Sequence, residues 1–193
     1  DTPYYTEMVQ ESYPLWRELE MRSGRHLLTL NGMIFFGHNG NELLRRNIEL
    51  YQQSGLPYEV IPPSEAARRH PAMSIPDDAL VCYTPFAGFL DAARCGDTHV
   101  AMAVNGGAEV LQECKVLNID LSGEYPEVHT SEGKFRARRL IVAGGPWSGD
   151  LMGDLAIPLK VTRQQKCYFT CDRSKDHLPA SLPVYADYET DYY

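Results

Sequence analysis

Hydrophobic and polar positions recur along this chain with two periods, one typical of helices and one typical of strands. Apolar residues at helical spacing predict amphipathic helices. These cover residues 3–21, 42–54 and 91–104, with a brief helix from Ser64. Runs rich in β-branched and aromatic residues predict strands. These cover residues 27–36, as a hairpin or two strands around Asn31 and Gly32, and residues 58–61, 80–84, 109–112, 116–120, 135–143, 159–170 and 184–188. The pattern alone predicts a mixed α and β protein.

One change of structure, within residues 138–155, looks suited to a cofactor. Residues 140–143 form an unbroken apolar run, which predicts a strand buried on both faces of a parallel sheet. Gly144 and Gly145 permit unusual backbone angles, and Pro146 suits the first position of a helix predicted over residues 148–155. In an open α/β sheet, ligands bind where a strand ends in such a turn. The alternative is a junction that only connects a strand to a helix.

Composition limits the classes of function. The 193 residues are 44% hydrophobic and 23% charged, as in ordinary globular proteins. A formal net charge of -8 argues against a nucleic-acid partner, since phosphate binding needs clustered Lys and Arg. No apolar run approaches the roughly 18 residues of a membrane span, and the N-terminus lacks the features of a signal peptide. We therefore expect a cytoplasmic protein without a membrane partner.

Metal and serine-hydrolase chemistry are disfavoured by spacing. The five cysteines are an odd number without a CxxC pair, so we expect reduced thiols. The six histidines include no HExxH motif and no pair four residues apart. Ser148 lacks a GxSxG context. The sequence therefore predicts no metal site and no serine nucleophile.

Several motifs together carry a resemblance to a known family. The segment LIVAGGPWSGDL resembles the stretch that lines the FAD site in flavoproteins of the D-amino-acid-oxidase superfamily, especially the branch of monomeric sarcosine oxidase and N-methyltryptophan oxidase. Other matching segments follow the family's order. They are LWRELE, NGMIFFG, GFLDAARCGDTHVAMAVNGGAEVL, KVLNID, IPLKVTRQQKCYF and VYADYETDYY. The resemblance spans nearly the whole chain.

The resemblance implies a fold and a domain organisation. The fold class is α/β, with part of a glutathione-reductase-like FAD domain interleaved with an antiparallel-sheet substrate domain. The FAD part would comprise residues 1–27 and 89–158, and the substrate part residues 28–88 and 159–193. The family's GxGxxG motif has no counterpart here, and the chain begins at Asp1 rather than Met. We therefore expect a central fragment that is inactive, or nearly so, by itself.

The resemblance also implies which residues border FAD. Val116 would hold the adenine end of the cofactor through backbone groups. Ala143, Gly144, Gly145 and Trp147 would border the cofactor further along. The alternative for Trp147 is a structural one, in which its ring packs the following helix onto the sheet.

The last residues supply the candidates for substrate chemistry. Tyr193 matches the second tyrosine of the family's Tyr-Tyr-Gly stretch, which faces the substrate beside the flavin, although a chance match is the alternative. Asp187, Glu189 and Asp191 alternate along the chain, so they could share a strand face and transfer protons. A solvated edge strand is the alternative for these carboxylates.

The implied reaction is the oxidation of a secondary amine or N-methyl amino acid, with O2 reduced to H2O2. The partners would be a small amine or amino acid and molecular oxygen, and the oligomeric state stays open. Two alternatives remain. One is another flavoprotein of the same fold, acting on glycine, D-amino acids or glycerol 3-phosphate. The other is a non-catalytic binding module that keeps the α/β core.

Overall fold

The computed structural model describes residues 3–152, 158–167, 170 and 178–190, and the chain divides into two compact units. The first unit comprises Asp1–Gly107 with Thr170–Tyr193, and the second comprises Ala108–Phe169. The predicted division into an FAD part and a substrate part stays a prediction, because compactness does not show which residues bind a ligand.

Four helices of the first unit occupy the stretches where helices are predicted. They are α1 (Pro3–Ser23), α2 (Glu42–Gln53), α3 (Pro63–Arg69) and α4 (Ala92–Asn105). Asn41 begins α2, and its Oδ1 accepts a hydrogen bond from Leu44 N at 3.1 Å. Asp91 begins α4 in the same way, accepting from Arg94 N at 3.0 Å. These side chains satisfy N–H groups that have no partner within the helix, so they fix where each helix starts.

A four-stranded sheet forms the centre of the first unit. Strand β2 (Met33–His38) pairs antiparallel with β4 (Ala79–Thr84), which in turn pairs antiparallel with β3 (Glu59–Ile61). On its other side β2 pairs with β9 (Val184–Asp187), and this pairing is parallel. The strand order is therefore β3-β4-β2-β9, and the sheet departs from the predicted antiparallel arrangement at β9.

Residues 27–36 form two strands that do not pair with each other. Strand β1 (Leu28–Leu30) pairs antiparallel with β5 (Gly88–Leu90) in a separate two-stranded sheet. Gly32 separates β1 from β2 with a φ of +78°, and a Cβ on it would lie 2.7 Å from the Tyr83 ring. Glycine is the residue that fits this position both in backbone angle and in space.

The two faces of the central sheet carry separate hydrophobic cores, because side chains alternate along a strand. One core comprises Ile34, Phe36, Ile61, Ala66 and Val81 and is covered by α3. The other comprises Phe35, Leu44, Cys82 and Ala186 and is covered by α2. The sheet is thus covered on both faces.

The second unit is a three-stranded meander followed by a short helix. Strands β6 (Val116–Asp120), β7 (Glu127–Thr130) and β8 (Gly133–Arg136) pair antiparallel in that order. A 3-10 turn at Gly145–Trp147 leads into α5 (Ser148–Leu151), which lies beside β6. A helix is therefore present at the start of the predicted range 148–155, and residues 153–155 of that range lie outside the described residues.

Three strand predictions in the second unit are wrong within the described residues. Residues 109–112, 137–143 and 159–167 have no regular structure, and Ile141 is 90% exposed. The predicted buried strand at residues 140–143 is among them. A strand exists through backbone hydrogen bonds to a neighbour, and no strand of the described part pairs with these segments. The apolar pattern of these segments indicates a propensity for strands. It does not specify a neighbouring strand to which their backbone groups could hydrogen-bond.

One carboxylate ties the end of α1 to the first strand. Glu20 Oε1 accepts hydrogen bonds from Leu27 N at 2.7 Å and from Leu28 N at 2.9 Å. Its Oε2 lies 2.5 Å from Arg17 Nη1. Burial alone would raise the pKa of this carboxyl, but the two backbone donors and Arg17 outweigh it and lower the pKa to about 2. The ionised carboxylate therefore stabilises the junction.

Replacing Glu20 with Gln removes this charge and keeps the shape of the side chain. We expect the free energy of unfolding at neutral pH to fall by about 2 kcal/mol, as for hydrogen bonds to a charged group. Because the folded pKa of about 2 lies below the ordinary 4.5, the contribution is present above about pH 4.5 and is lost as the pH falls toward 2. Urea denaturation of both proteins across this range measures the difference.

Glu18→Gln is the matched control for this variant. Glu18 lies on the same helix and pairs with Arg22 at 3.4 Å, with both side chains exposed. An exposed pair of this kind contributes at most about 0.5 kcal/mol. Equal losses for the two variants, or a Glu20 effect that does not shrink on acidification, would contradict the assigned role.

Candidate functional site

The predicted glycine turn is open to solvent on one side. Trp147 N donates a hydrogen bond to Gly144 O at 3.1 Å, which closes the 3-10 turn. Gly145 has a φ of +54°, and among the described residues, its two chain neighbours apart, no atom lies within 4 Å of where its Cβ would stand. The backbone at Gly145 is therefore bare, and a ligand can approach it closely.

The turn and strand β6 belong to the same unit and are connected through α5. Gly144 lies against this helix, since a Cβ on it would be 3.2 Å from Leu151 Cδ1. Helix α5 lies beside β6, whose first residue is the half-buried Val116. The two parts of the predicted cofactor site, which are about 28 residues apart in the sequence, are thus linked by one short helix.

Trp147 does not pack the helix onto the sheet within the described residues. Its side chain is 68% exposed, and Ile141, on the approach to the turn, is 90% exposed. Leu117, next to Val116 on β6, is 60% exposed. A ring that packed the helix onto the sheet would be buried, whereas an exposed indole can be covered by a ligand. This observation favours the cofactor role of Trp147 over the structural alternative.

These features fit a cofactor with planar rings. FAD presents flat apolar ring systems joined by a pyrophosphate, and such rings pack on exposed aromatic and aliphatic side chains. The bare backbone at Gly145 and the exposed ring of Trp147 offer surfaces of this kind. Ala143 is also exposed.

The end of β9 presents the other candidate residues. Asp187 Oδ1 accepts a hydrogen bond from Glu189 N at 2.9 Å, and its Oδ2 accepts from Thr190 Oγ1 at 2.7 Å. These bonds close a turn after β9, so Asp187 and Glu189 do not form a common strand face. Asp191 and Tyr193 lie outside the described residues, and the predicted role of Tyr193 stays a prediction.

A buried aromatic cluster supports this turn from the α2 side of the sheet. The Phe35 ring stacks on Tyr51 at a centroid distance of 5.6 Å and meets Tyr188 edge-on at 6.4 Å. Burial raises the pKa of Tyr51 to about 12. Burial also raises the pKa of Tyr188, although the side chain of Asn47 opposes this by bonding to its hydroxyl. Both phenols are therefore neutral at physiological pH and act as packing groups.

Two asparagines, one at the N-cap of α2 and one within it, reach the turn after β9, and no sequence pattern indicates these contacts. Asn41 Nδ2 lies 3.2 Å from Tyr188 O, and Asn47 Nδ2 donates to the Tyr188 hydroxyl. The sequence predicted only that a helix covers residues 42–54. Contacts across some 140 residues leave no local pattern, so only the fold reveals them.

Neither a metal centre nor a transmembrane helix is found in the described part of the chain. No group of three or more His, Cys, Asp or Glu side chains there could hold a metal ion. None of the described helices is both long and apolar enough to cross a bilayer.

Comparison with known proteins shows the family. A family model described as FAD dependent oxidoreductase matches residues 1–193. Monomeric sarcosine oxidase from Streptomyces avermitilis is 27% identical over 169 residues, which cover 88% of this chain and 44% of that protein. N-methyl-L-tryptophan oxidase from Yersinia pestis is 24% identical over 153 residues, covering 79% of this chain and 41% of that protein. The chain therefore spans less than half the length of these curated relatives.

A solved structure supports the fold. Glycine oxidase from Geobacillus kaustophilus matches with a TM-score of 0.71 and 22% sequence identity, over 82% of this chain and 44% of that one. This likeness confirms the predicted mixed α/β fold class. Because the family model matches every residue of the chain, the protein belongs to the DAO family of FAD-dependent oxidoreductases.

Proposed function

We propose that the full-length protein oxidises a secondary amine or N-methyl amino acid and passes the electrons to O2, forming H2O2. The family match and the names of two relatives, sarcosine oxidase and N-methyltryptophan oxidase, support this substrate class. The observation that carries the proposal in this chain is the exposed glycine turn beside Trp147.

Five residues would hold FAD in this proposal. They are Val116, Ala143, Gly144, Gly145 and Trp147. The bare backbone at Gly145 allows close approach, and the exposed indole of Trp147 supplies a ring to pack against. The cofactor, when bound, supplies the two-electron redox chemistry. The protein's task is then to bind and orient both cofactor and amine.

The domain assignment and the substrate residue are part of the same proposal. Residues 1–27 and 89–158 would belong to the FAD domain, and residues 28–88 and 159–193 to the substrate domain. Tyr193 would face the substrate, where a phenol can orient an amine by hydrogen bonding. A cytoplasmic location also stays a prediction.

The test uses the purified full-length protein. We expect flavin absorbance bands at about 370 and 450 nm, and H2O2 release with sarcosine or another N-methyl amino acid. The panel includes glycine, D-amino acids and glycerol 3-phosphate, because activity on these alone would assign a different member of the fold. A colourless protein that takes up no added FAD would refute the oxidase and leave a binding module.

A variant at Trp147 tests the cofactor site itself. We expect Trp147→Ala in the full-length protein to raise the Kd for FAD about 10-fold, since a lost aromatic contact is worth roughly 1.5 kcal/mol. Stability of the apoprotein should change little, because Trp147 is 68% exposed. Phe135→Ala is the control, as Phe135 is an exposed aromatic residue on β8 of the same unit. Equal FAD affinity in the two variants would remove Trp147 from the site.

A further inference from the structure

The turn after β9 is fastened to the start of α2 by side chains far away in the sequence. This β9 turn comprises residues 188–190. Glu189 Oε1 accepts hydrogen bonds from His38 N at 2.7 Å and from Asn41 Nδ2 at 3.2 Å. Asn41 Nδ2 also donates to Tyr188 O at 3.2 Å. One amide group thus bonds to two successive residues of the turn.

Asn41 performs two separate tasks with the two ends of its amide. Its Oδ1 caps α2 by accepting from Leu44 N at 3.1 Å, and its NH2 group holds the β9 turn. Serine, threonine and aspartate cap helices about as well as asparagine does. Among these residues only asparagine carries an NH2 group with two donors. The choice of asparagine is therefore explained by the β9 turn and not by the cap.

Asn47, which lies within α2, also bonds to Tyr188 of the β9 turn. Asn47 Nδ2 donates to the hydroxyl of Tyr188, while Tyr188 N donates to Phe36 O at 2.9 Å. The ring of Tyr188 packs edge-on against Phe35. Tyr188 is thus held at three places, by its backbone, its ring and its hydroxyl. The β9 turn therefore has little freedom to shift on the sheet.

We propose that Asn41 is a positioning residue for the amine reaction, which acts by fixing residues 188–190, where the chain leaves the sheet after β9. This inference rests on the proposed function, in which Tyr193 faces the substrate. Tyr193 follows Tyr188 by five residues. A misplacement of about 1 Å at reacting groups can lower the rate roughly 100-fold. Loss of the hydrogen bonds of Asn41 therefore lowers the rate, although Asn41 itself does not contact the substrate.

Asn41→Ser in the full-length FAD-loaded enzyme separates the two tasks. The serine hydroxyl keeps an acceptor for Leu44 N but lacks the NH2 group that reaches the β9 turn. Asn39→Ser is the matched control, since it makes the same exchange two residues earlier. Asn39 accepts from Arg45 through its backbone O at 2.6 Å and its Oδ1 at 2.8 Å, and no bond joins it to the described residues of the β9 turn.

Two measurements are compared between these variants. We expect amide hydrogen exchange of residues 188–190 to be about 10-fold faster in Asn41→Ser than in Asn39→Ser, with Leu44 N equally protected in both. We also expect kcat/KM for the amine to fall about 10-fold at unchanged FAD content. If α2 frays in Asn41→Ser, the same two measurements are made on Asn41→Asp. Aspartate keeps a strong helix cap, and it places a carboxylate beside that of Glu189.

The outcomes distinguish the inference from the proposed function. Unchanged exchange at residues 188–190 would overturn the anchoring by Asn41. Faster exchange with unchanged kcat/KM would overturn its positioning role. A wild-type enzyme that oxidises no amine would refute the proposed function alone, and the exchange measurement would still decide whether Asn41 holds the turn.

Discussion

Leu44→Ala is expected to lower the free energy of unfolding by about 3 kcal/mol, in the range measured for buried leucines elsewhere. Leu44 is 0% exposed and packs with Phe35, Cys82 and Ala186 beneath α2. Truncation removes buried methyl groups and leaves a cavity between α2 and the sheet, which close-packed neighbours fill only in part. Urea denaturation monitored by circular dichroism measures the loss.

Leu43→Ala provides a control at the adjacent position. Leu43 undergoes the same change of side chain on the same helix but is 63% exposed. Its truncation should change the free energy of unfolding by no more than about 0.5 kcal/mol, because little apolar surface returns to water. A loss at Leu43 as large as that at Leu44 would mean that α2 packs on the sheet through another face.

Gly88→Ala is expected to lower the free energy of unfolding by roughly 3 kcal/mol through overpacking. Gly88 lies in β5 opposite Leu30, and a Cβ on it would stand 1.9 Å from the carbonyl oxygen of Thr29. Backbone atoms cannot rotate away as a flexible side chain can, so the β1-β5 pairing must open. Faster amide exchange in residues 28–30 and 88–90, together with the drop in stability, checks the prediction.

Gly96→Ala is the contrasting control, with an effect of opposite sign. Gly96 lies inside α4 on an exposed face, and in the described part of the chain no atom outside the local helix backbone lies within 4 Å of where its Cβ would stand. Alanine favours a helix over glycine by up to about 1 kcal/mol, so this variant should be more stable than the wild type. A Gly88→Ala protein as stable as wild type, with intact exchange protection in β1, would contradict the packing at Gly88.

Recognition of the family depended on segments that keep their order along the chain, and the family match confirms it. The glycine turn was also predicted from the sequence, since paired glycines before Pro146 indicate a break in regular structure. The sequence did not predict that the side chain of Trp147 is exposed. An aromatic residue after an apolar run has the same local pattern whether it packs a helix or faces a ligand.

The sequence by itself determined the helices and their caps, because those interactions lie within a few residues. Asn41 and Asp91 mark helix starts whatever the rest of the chain does. The strand propensities were equally local, but residues 140–143 show that propensity without a partner forms no strand. Only the tertiary structure decided that β1 pairs with β5 and that β9 lies parallel to β2. Pairings of this kind join backbone groups up to about 150 residues apart, and no local pattern specifies such a partner.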